Sequence, residues 1–185
     1  MVIFGAVDFT AALARVSKVL GYRVTVCDAR PVFATPARFP MADDIVVDWP
    51  DRHLAKVGPS LGPRDVVCVL THDPKFDVPA IVSALQTKAG YIGAMGSRRT
   101  TEERNKRLLE AGVAKEDLAR VMAPIGLDIG ARTPEETAVS VVAEIIAFRA
   151  AATRAATKGK QAPSLRDTEG PIHAGGDAPH AADRA

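Results

Sequence analysis

The chain has 185 residues, 47% of them hydrophobic and 25% charged, with a formal net charge of +2. That length supports one domain with a sizeable core, and arginines interleaved with acids, with no basic stripe, give no support for a nucleic-acid partner. No run approaches the roughly 18 apolar residues of a membrane span, and Cys27 and Cys68, far apart within apolar runs and without metal-ligand spacing around them, suit buried thiols in a reducing cytoplasm better than a disulfide framework.

Residues 1–6 are a continuous apolar run, too short for a helix and consistent with a strand buried on both faces. The chain opens inside this element, with no lead-in, which suggests either a truncated chain or a start site that omits an upstream domain. Over residues 8–20, Phe9, Ala12, Leu13, Val16 and Val19 recur at helical spacing, and Gly21 stands where a C-terminal cap belongs. Residues 23–27 read as a second strand, completing a unit of βαβ size. Residues 31–41, with Pro31, Pro36 and Pro40, read as a structured loop anchored by its phenylalanines. A short strand is expected at 45–47, one or two helical turns at 51–57, and the clearest strand at 65–70.

Helical spacing continues at 78–88, a strand at 91–95, a helix at 101–111 and a short helix at 115–121. Ser97, Thr100 and Thr101 are N-cap candidates for the helix after 95. The strongest helix start is Thr133, Pro134 and Glu136, a capping box. It leads into an apolar face of Ala138, Val141, Val142, Ile145 and Phe148, beside which Glu144 either faces the site or, the preferred reading, is solvated. Residues 1–150 are expected to form the domain. Beyond about 150 large apolar residues nearly vanish, and 158–185 reads as a disordered tail.

Strands alternating with helices predict an α/β fold: a doubly wound parallel sheet of Rossmann-like, three-layer α/β/α architecture. Ligands of such sheets bind beyond the carboxyl ends of the strands, a rim that would hold residues 5–8, 28–30, 71–73, 93–99 and 124–130. In the first turn, Gly5-Ala6-Val7-Asp8-Phe9-Thr10, Val7 and Thr10 stand where a dinucleotide fingerprint needs glycines, and Asp8 puts a negative charge where phosphate should sit. Asp28 is placed like a ribose-binding acid or a partner of Arg30. Thr71-His72-Asp73, with Asp77 nearby, offers His72 and Asp73 as candidate catalytic groups, and Asp73 equally as an N-cap before Pro74. Gly93, Gly96, Ser97, Arg98 and Arg99 read as an anion site, since glycines let the backbone approach a ligand and arginines offer bidentate donors.

Three motifs in order go beyond a fold. Thr71-His72-Asp73 with Asp77, Tyr91-Ile92-Gly93 with Gly96-Ser97-Arg98-Arg99, and Pro124-Ile125-Gly126-Leu127-Asp128-Ile129-Gly130 leading into Thr133-Pro134-Glu135-Glu136 resemble the C-terminal domain of the xanthine dehydrogenase accessory (XdhC/CoxI) family. Val2-Ile3-Phe4-Gly5-Ala6, Asp28-Ala29-Arg30 and Arg38-Phe39-Pro40 extend the resemblance over about residues 1–150. It implies a Rossmann-like domain that handles the molybdenum cofactor (molybdopterin) as cargo, for a xanthine or carbon monoxide dehydrogenase type apoprotein. The role is that of a chaperone more than a catalyst, and a homodimer is allowed. Thr71, His72 and Asp128 would meet polar edges of the pterin, and Asp28 would complete the cofactor-binding set. Two departures stand out: the family's upstream domain is not in this sequence, and Val7 and Asp8 replace the glycine and histidine often found in its first turn. Two other readings remain, an NAD(P)-binding oxidoreductase and a docking domain without a ligand.

Overall fold

The computed structural model of the chain describes residues 1–153 and 164–167. In chain order its strands are β1 (Val2–Phe4), β2 (Thr25–Cys27), β3 (Asp44–Val46), β4 (Val66–Val69), β5 (Tyr91–Ala94) and β6 (Val121–Met122). The helices are α1 (Asp8–Val19), α2 (Pro50–Val57), α3 (Pro74–Leu85), α4 (Arg98–Glu110), α5 (Lys115–Leu118) and α6 (Pro134–Thr153). The strands pair in the order β3-β2-β1-β4-β5-β6, every pair parallel. The order reverses between β1 and β4, the mark of a Rossmann-like, doubly wound sheet.

Both sheet faces are covered, which explains the continuous apolar runs. The period of two sorts the side chains: Ile3, Val26 and Cys68 join Leu13, Val141 and Ile145 on one face. Phe4, Val67 and Val69 join Leu54, Ile81 and Leu108 on the other. On the first face α1 and α6 pack against each other. Each fully buried Ile, Leu or Phe contributes about 1.5–3 kcal/mol through the water it no longer meets.

Several boundaries differ from the sequence expectation. The helix expected from residue 78 begins at Pro74, capped by Asp73, whose carboxylate accepts from the Lys75 amide at 3.1 Å. The helix expected from residue 101 begins at Arg98, with Ser97 as the cap that accepts from Thr100 N. In both, polar residues in the first turn hide the apolar period, and the cap residue sets the true start. The helix expected over 115–121 stops at Leu118, and Val121 and Met122 form a sixth strand, buried but too short to show any period. The capping box of α6 forms as read, with Thr133 Oγ1 accepting from Glu136 N and Glu136 Oε2 from Thr133 N, both at 3.1 Å.

Glu144 corrects the expectation of a solvated residue. It is 3% exposed, and Oε2 accepts from the Tyr91 hydroxyl at 2.5 Å and from Gly126 N at 2.9 Å. One carboxylate thus ties α6 to β5 and to the turn after the Ala123–Pro124 peptide, which is cis. Part of the stretch read as tail, Ser164–Asp167, lies against the same region. Ser164 bridges Leu127 and donates to Glu144, and Arg166 donates to the Ala119 carbonyl at 2.9 Å. The remainder of 154–185 lies outside the described residues. No described helix is long and apolar enough to cross a membrane.

Candidate functional site

The parallel sheet delivers the ends of β1, β2, β4 and β5 to one rim, and each end carries part of the expected chemistry. At β1 the chain turns at Gly5 with φ 104°, where a Cβ would lie 2.8 Å from the Thr71 methyl. The first two loops of the rim therefore touch only because residue 5 has no side chain. The turn is already occupied by protein groups. Asp28 Oδ2 accepts from Ala6 N at 2.8 Å, while Arg38 donates to Ala6 O at 2.9 Å.

Asp28 is 4% exposed and fully engaged. Its Oδ1 takes the Arg30 amide and Nε at 2.9 Å, and Oδ2 takes Arg30 Nη2 at 2.8 Å. Burial pushes its carboxyl up, but the bonds from Arg30 and Ala6 outweigh this and hold it below the ordinary range. Asp28 therefore faces Arg30 and the first turn, not open rim. The Arg30 guanidinium is stacked 4.5 Å above Phe33 and 5.7 Å from Phe76, whose ring also meets Trp49 at 5.1 Å.

At β4 the three polar residues separate by role. Thr71 is buried and donates to Asp77, Asp73 caps α3, and His72 is exposed at the loop surface. Asp77 pairs with Arg104 at 3.2 Å, their side chains 4% and 3% exposed. Burial pushes the Asp77 carboxyl up to about 6 despite the attraction of Arg104, and burial lowers Arg104 as well. The motifs point to Asp77 but not to Arg104. The signal for Arg104 is the α4 spacing Thr101, Arg104, Leu108, which puts a cation on the buried face of the helix.

At β5 the two glycines divide. Gly93 lies inside the strand, and a Cβ there would come 2.5 Å from Ile125 Cδ1 and 2.8 Å from the Tyr91 ring. Its space is filled by Ile125, so Gly93 packs the sheet against the β6–α6 connection and does not line the rim. Gly96, with φ 150°, makes the turn into α4. Ser97 and Arg99 are exposed there and Arg98 half-buried, with Arg99 reaching Glu103 at 3.1 Å. Asp128 is exposed on the β6–α6 connection.

Chemically, the rim brings the positive end of α4 together with the guanidinium groups of Arg98 and Arg99, and Arg99 is already paired with Glu103. It offers no activated thiol, because burial pushes both Cys27 and Cys68 up to about 12. Among the described residues no three of His, Cys, Asp and Glu gather as a metal-binding group. The groove between α2 and α3, lined by Leu54, Pro59, Ser83 and Gln86, opens at the opposite end of the sheet, where the helices finish.

Known proteins are similar to this chain. A family model described as the XdhC Rossmann domain matches residues 1–145. A probable subunit of xanthine dehydrogenase from Bacillus subtilis (strain 168) is 37% identical over 149 residues, 80% of this chain and 42% of that protein. The molybdenum cofactor insertion chaperone PaoD of Escherichia coli (strain K12) is 36% identical over 83 residues, 45% of this chain and 26% of PaoD. A crystal structure of a xanthine dehydrogenase from Bacillus halodurans superposes with a TM-score of 0.70 at 32% identity, covering 85% of this chain and 44% of that one. The chain spans less than half the length of each of these relatives. With the family model covering its sheet and the whole rim, the chain belongs to the XdhC Rossmann domain family.

Proposed function

We propose that this domain holds the molybdenum cofactor as cargo in the cytoplasm, during maturation of a molybdoenzyme of xanthine or carbon monoxide dehydrogenase type. The observation that carries the reading is the β5–α4 turn, where Gly96 and Ser97 open a 13-residue helix beside Arg98 and Arg99 on the rim. A pterin phosphate needs backbone amides and guanidinium groups, and this turn supplies both. The name of PaoD, a molybdenum cofactor insertion chaperone, supports the same cargo. Thr71 is committed to Asp77, so the β4 loop would meet the ring system through His72, with Asp128 approaching from the β6–α6 connection. A dinucleotide in the usual pose is disfavoured, because Asp28 takes the Ala6 amide and Asp8 stands at the start of α1.

The test is titration of the purified protein with molybdenum cofactor beside an Arg98→Ala plus Arg99→Ala variant. Loss of two charge-assisted contacts is expected to weaken binding by at least about tenfold. Equal binding by the two proteins removes this turn from the site. A thermal-shift series with NAD and NADP separates the oxidoreductase reading, for which a clear stabilisation at millimolar dinucleotide is required.

A further inference from the structure

Behind the β5–α4 turn lies a buried charge that the candidate site does not otherwise use. Arg104 reaches back from the second turn of α4 and donates through Nη2 to the Met95 carbonyl. Its Nη2 lies 3.2 Å from where a Gly96 Cβ would be, so a side chain at residue 96 would press on the guanidinium at the back of the turn. The peptide between Met95 and Gly96 is trans, since Ala123–Pro124 is the cis bond of the described chain. A trans peptide sets its C=O and N–H antiparallel. A Met95 carbonyl turned toward Arg104 therefore turns the Gly96 N–H away from the layer of α3 and α4. Among the described residues that amide donates to no backbone carbonyl.

We infer that Arg104 is the positioning residue of this turn: it fixes the Met95 carbonyl inward and so presents the Gly96 amide outward, as a donor to the anionic group the turn receives. The inference rests on the anion reading of the β5–α4 turn given above. The same Nη2 is held by Asp77, which also accepts from Thr71, so one chain of contacts joins the β4 loop to the β5 loop. The hydrogen-bonding capacity of Arg104 is not fully used by the described residues. Nε and Nη1 of Arg104 and Oγ1 of Thr101, one helical turn away, are buried without a hydrogen-bond partner. Buried polar groups in proteins are nearly always paired, so donors left open behind the turn mark a place that would hold a further acceptor.

The experiment is a sulfate titration of the isotope-labelled chain followed by amide NMR, with Arg104→Met and Arg104→Lys alongside. Sulfate keeps its charge across the working pH range and tests the shared chemistry without the full cargo. In the wild-type chain the Gly96 and Ser97 amides are expected to move. In Arg104→Met the Gly96 response should vanish and affinity fall about tenfold. Arg104→Lys should restore the Gly96 response with a few-fold deficit, because a flexible, compact ammonium holds Met95 and Asp77 less rigidly than the planar guanidinium whose Nη2 meets both. Dispersed peaks for Val67 and Ile92 report an intact sheet. An unchanged Gly96 response in a folded Arg104→Met overturns the inference and leaves the anion reading standing. If neither Gly96 nor Ser97 moves in the wild-type chain, both fall. If Arg104→Met does not fold, Arg104→Lys decides, and wild-type affinity there overturns the positioning role.

Discussion

At the scale of single residues, space and burial settle roles that composition leaves open. Gly93 and Gly96 are three positions apart, yet one is a packing vacancy filled by Ile125 and the other a turn. Gly93→Ala is expected to destabilise the fold by about 1–3 kcal/mol through overpacking against Ile125 and Tyr91, read as a lower urea midpoint with an unchanged slope. The two thiols give a second expectation. With burial holding both near 12, neither Cys27 nor Cys68 should react with an aromatic disulfide reagent at pH 8 until denaturant is added, and fast labelling of the native chain would contradict their placement. Asp28 was legible in sequence as an acid at a strand end. Its engagement with the Ala6 amide, 22 positions away in the chain, was not, because which loop a strand end meets depends on strand order. The same holds for Arg104, visible as a cation on an apolar helix face but paired with Asp77 only in three dimensions.

At the scale of elements, a helix cap is written locally and the shortest strand is not. The α6 capping box could be read directly from Thr133 and Glu136, since a cap needs only neighbours in the chain. β6 could not, because two residues carry no period, and its existence is fixed by pairing with Ile92 and Gly93 of β5. Glu144 shows why charge on a helix is a weak guide to exposure: a carboxylate is buried where hydroxyl and amide donors converge on it. Glu144→Ala should strand the Tyr91 hydroxyl and the Gly126 amide in the interior and cost about 2–4 kcal/mol, with hydrogen exchange quickening first at Gly126 and Leu127. A loss spread evenly over the sheet would show that the carboxylate does not anchor this connection.

At the scale of the whole molecule, the alternation of apolar runs and amphipathic helices was enough for the doubly wound architecture and for the rim. The pairings across the rim were not, since they join loops distant in sequence. Acid sensitivity belongs to this scale. His53 of α2 is 7% exposed, its ring edge-on to Phe4 at 6.2 Å, and burial lowers its pKa. Its folded pKa lies below the unfolded value of about 6.5. The unfolded chain therefore binds the extra proton, and the stability present above about pH 6.5 is lost as pH falls from there toward the folded value. Asp77 runs the opposite way: its folded pKa near 6 exceeds the unfolded value of about 3.9, so its contribution is present at low pH and lost as pH rises from about 4 to 6. His53→Phe is expected to flatten the drop in melting temperature between pH 7.5 and pH 5.5, and an identical drop in the variant would assign it elsewhere. The short contact of Ser164–Asp167 with Leu127 and Ala119 has a consequence for self-association. A parallel sheet ends in two open borders, and strands at such borders template pairing with other chains. Beside β6 that border is screened by Ser164 and Arg166, while at β3, among the described residues, Asp44 and its ion pair with Arg23 guard the border. Intermolecular strand addition, if concentration or heat ever drives it, should begin at β3.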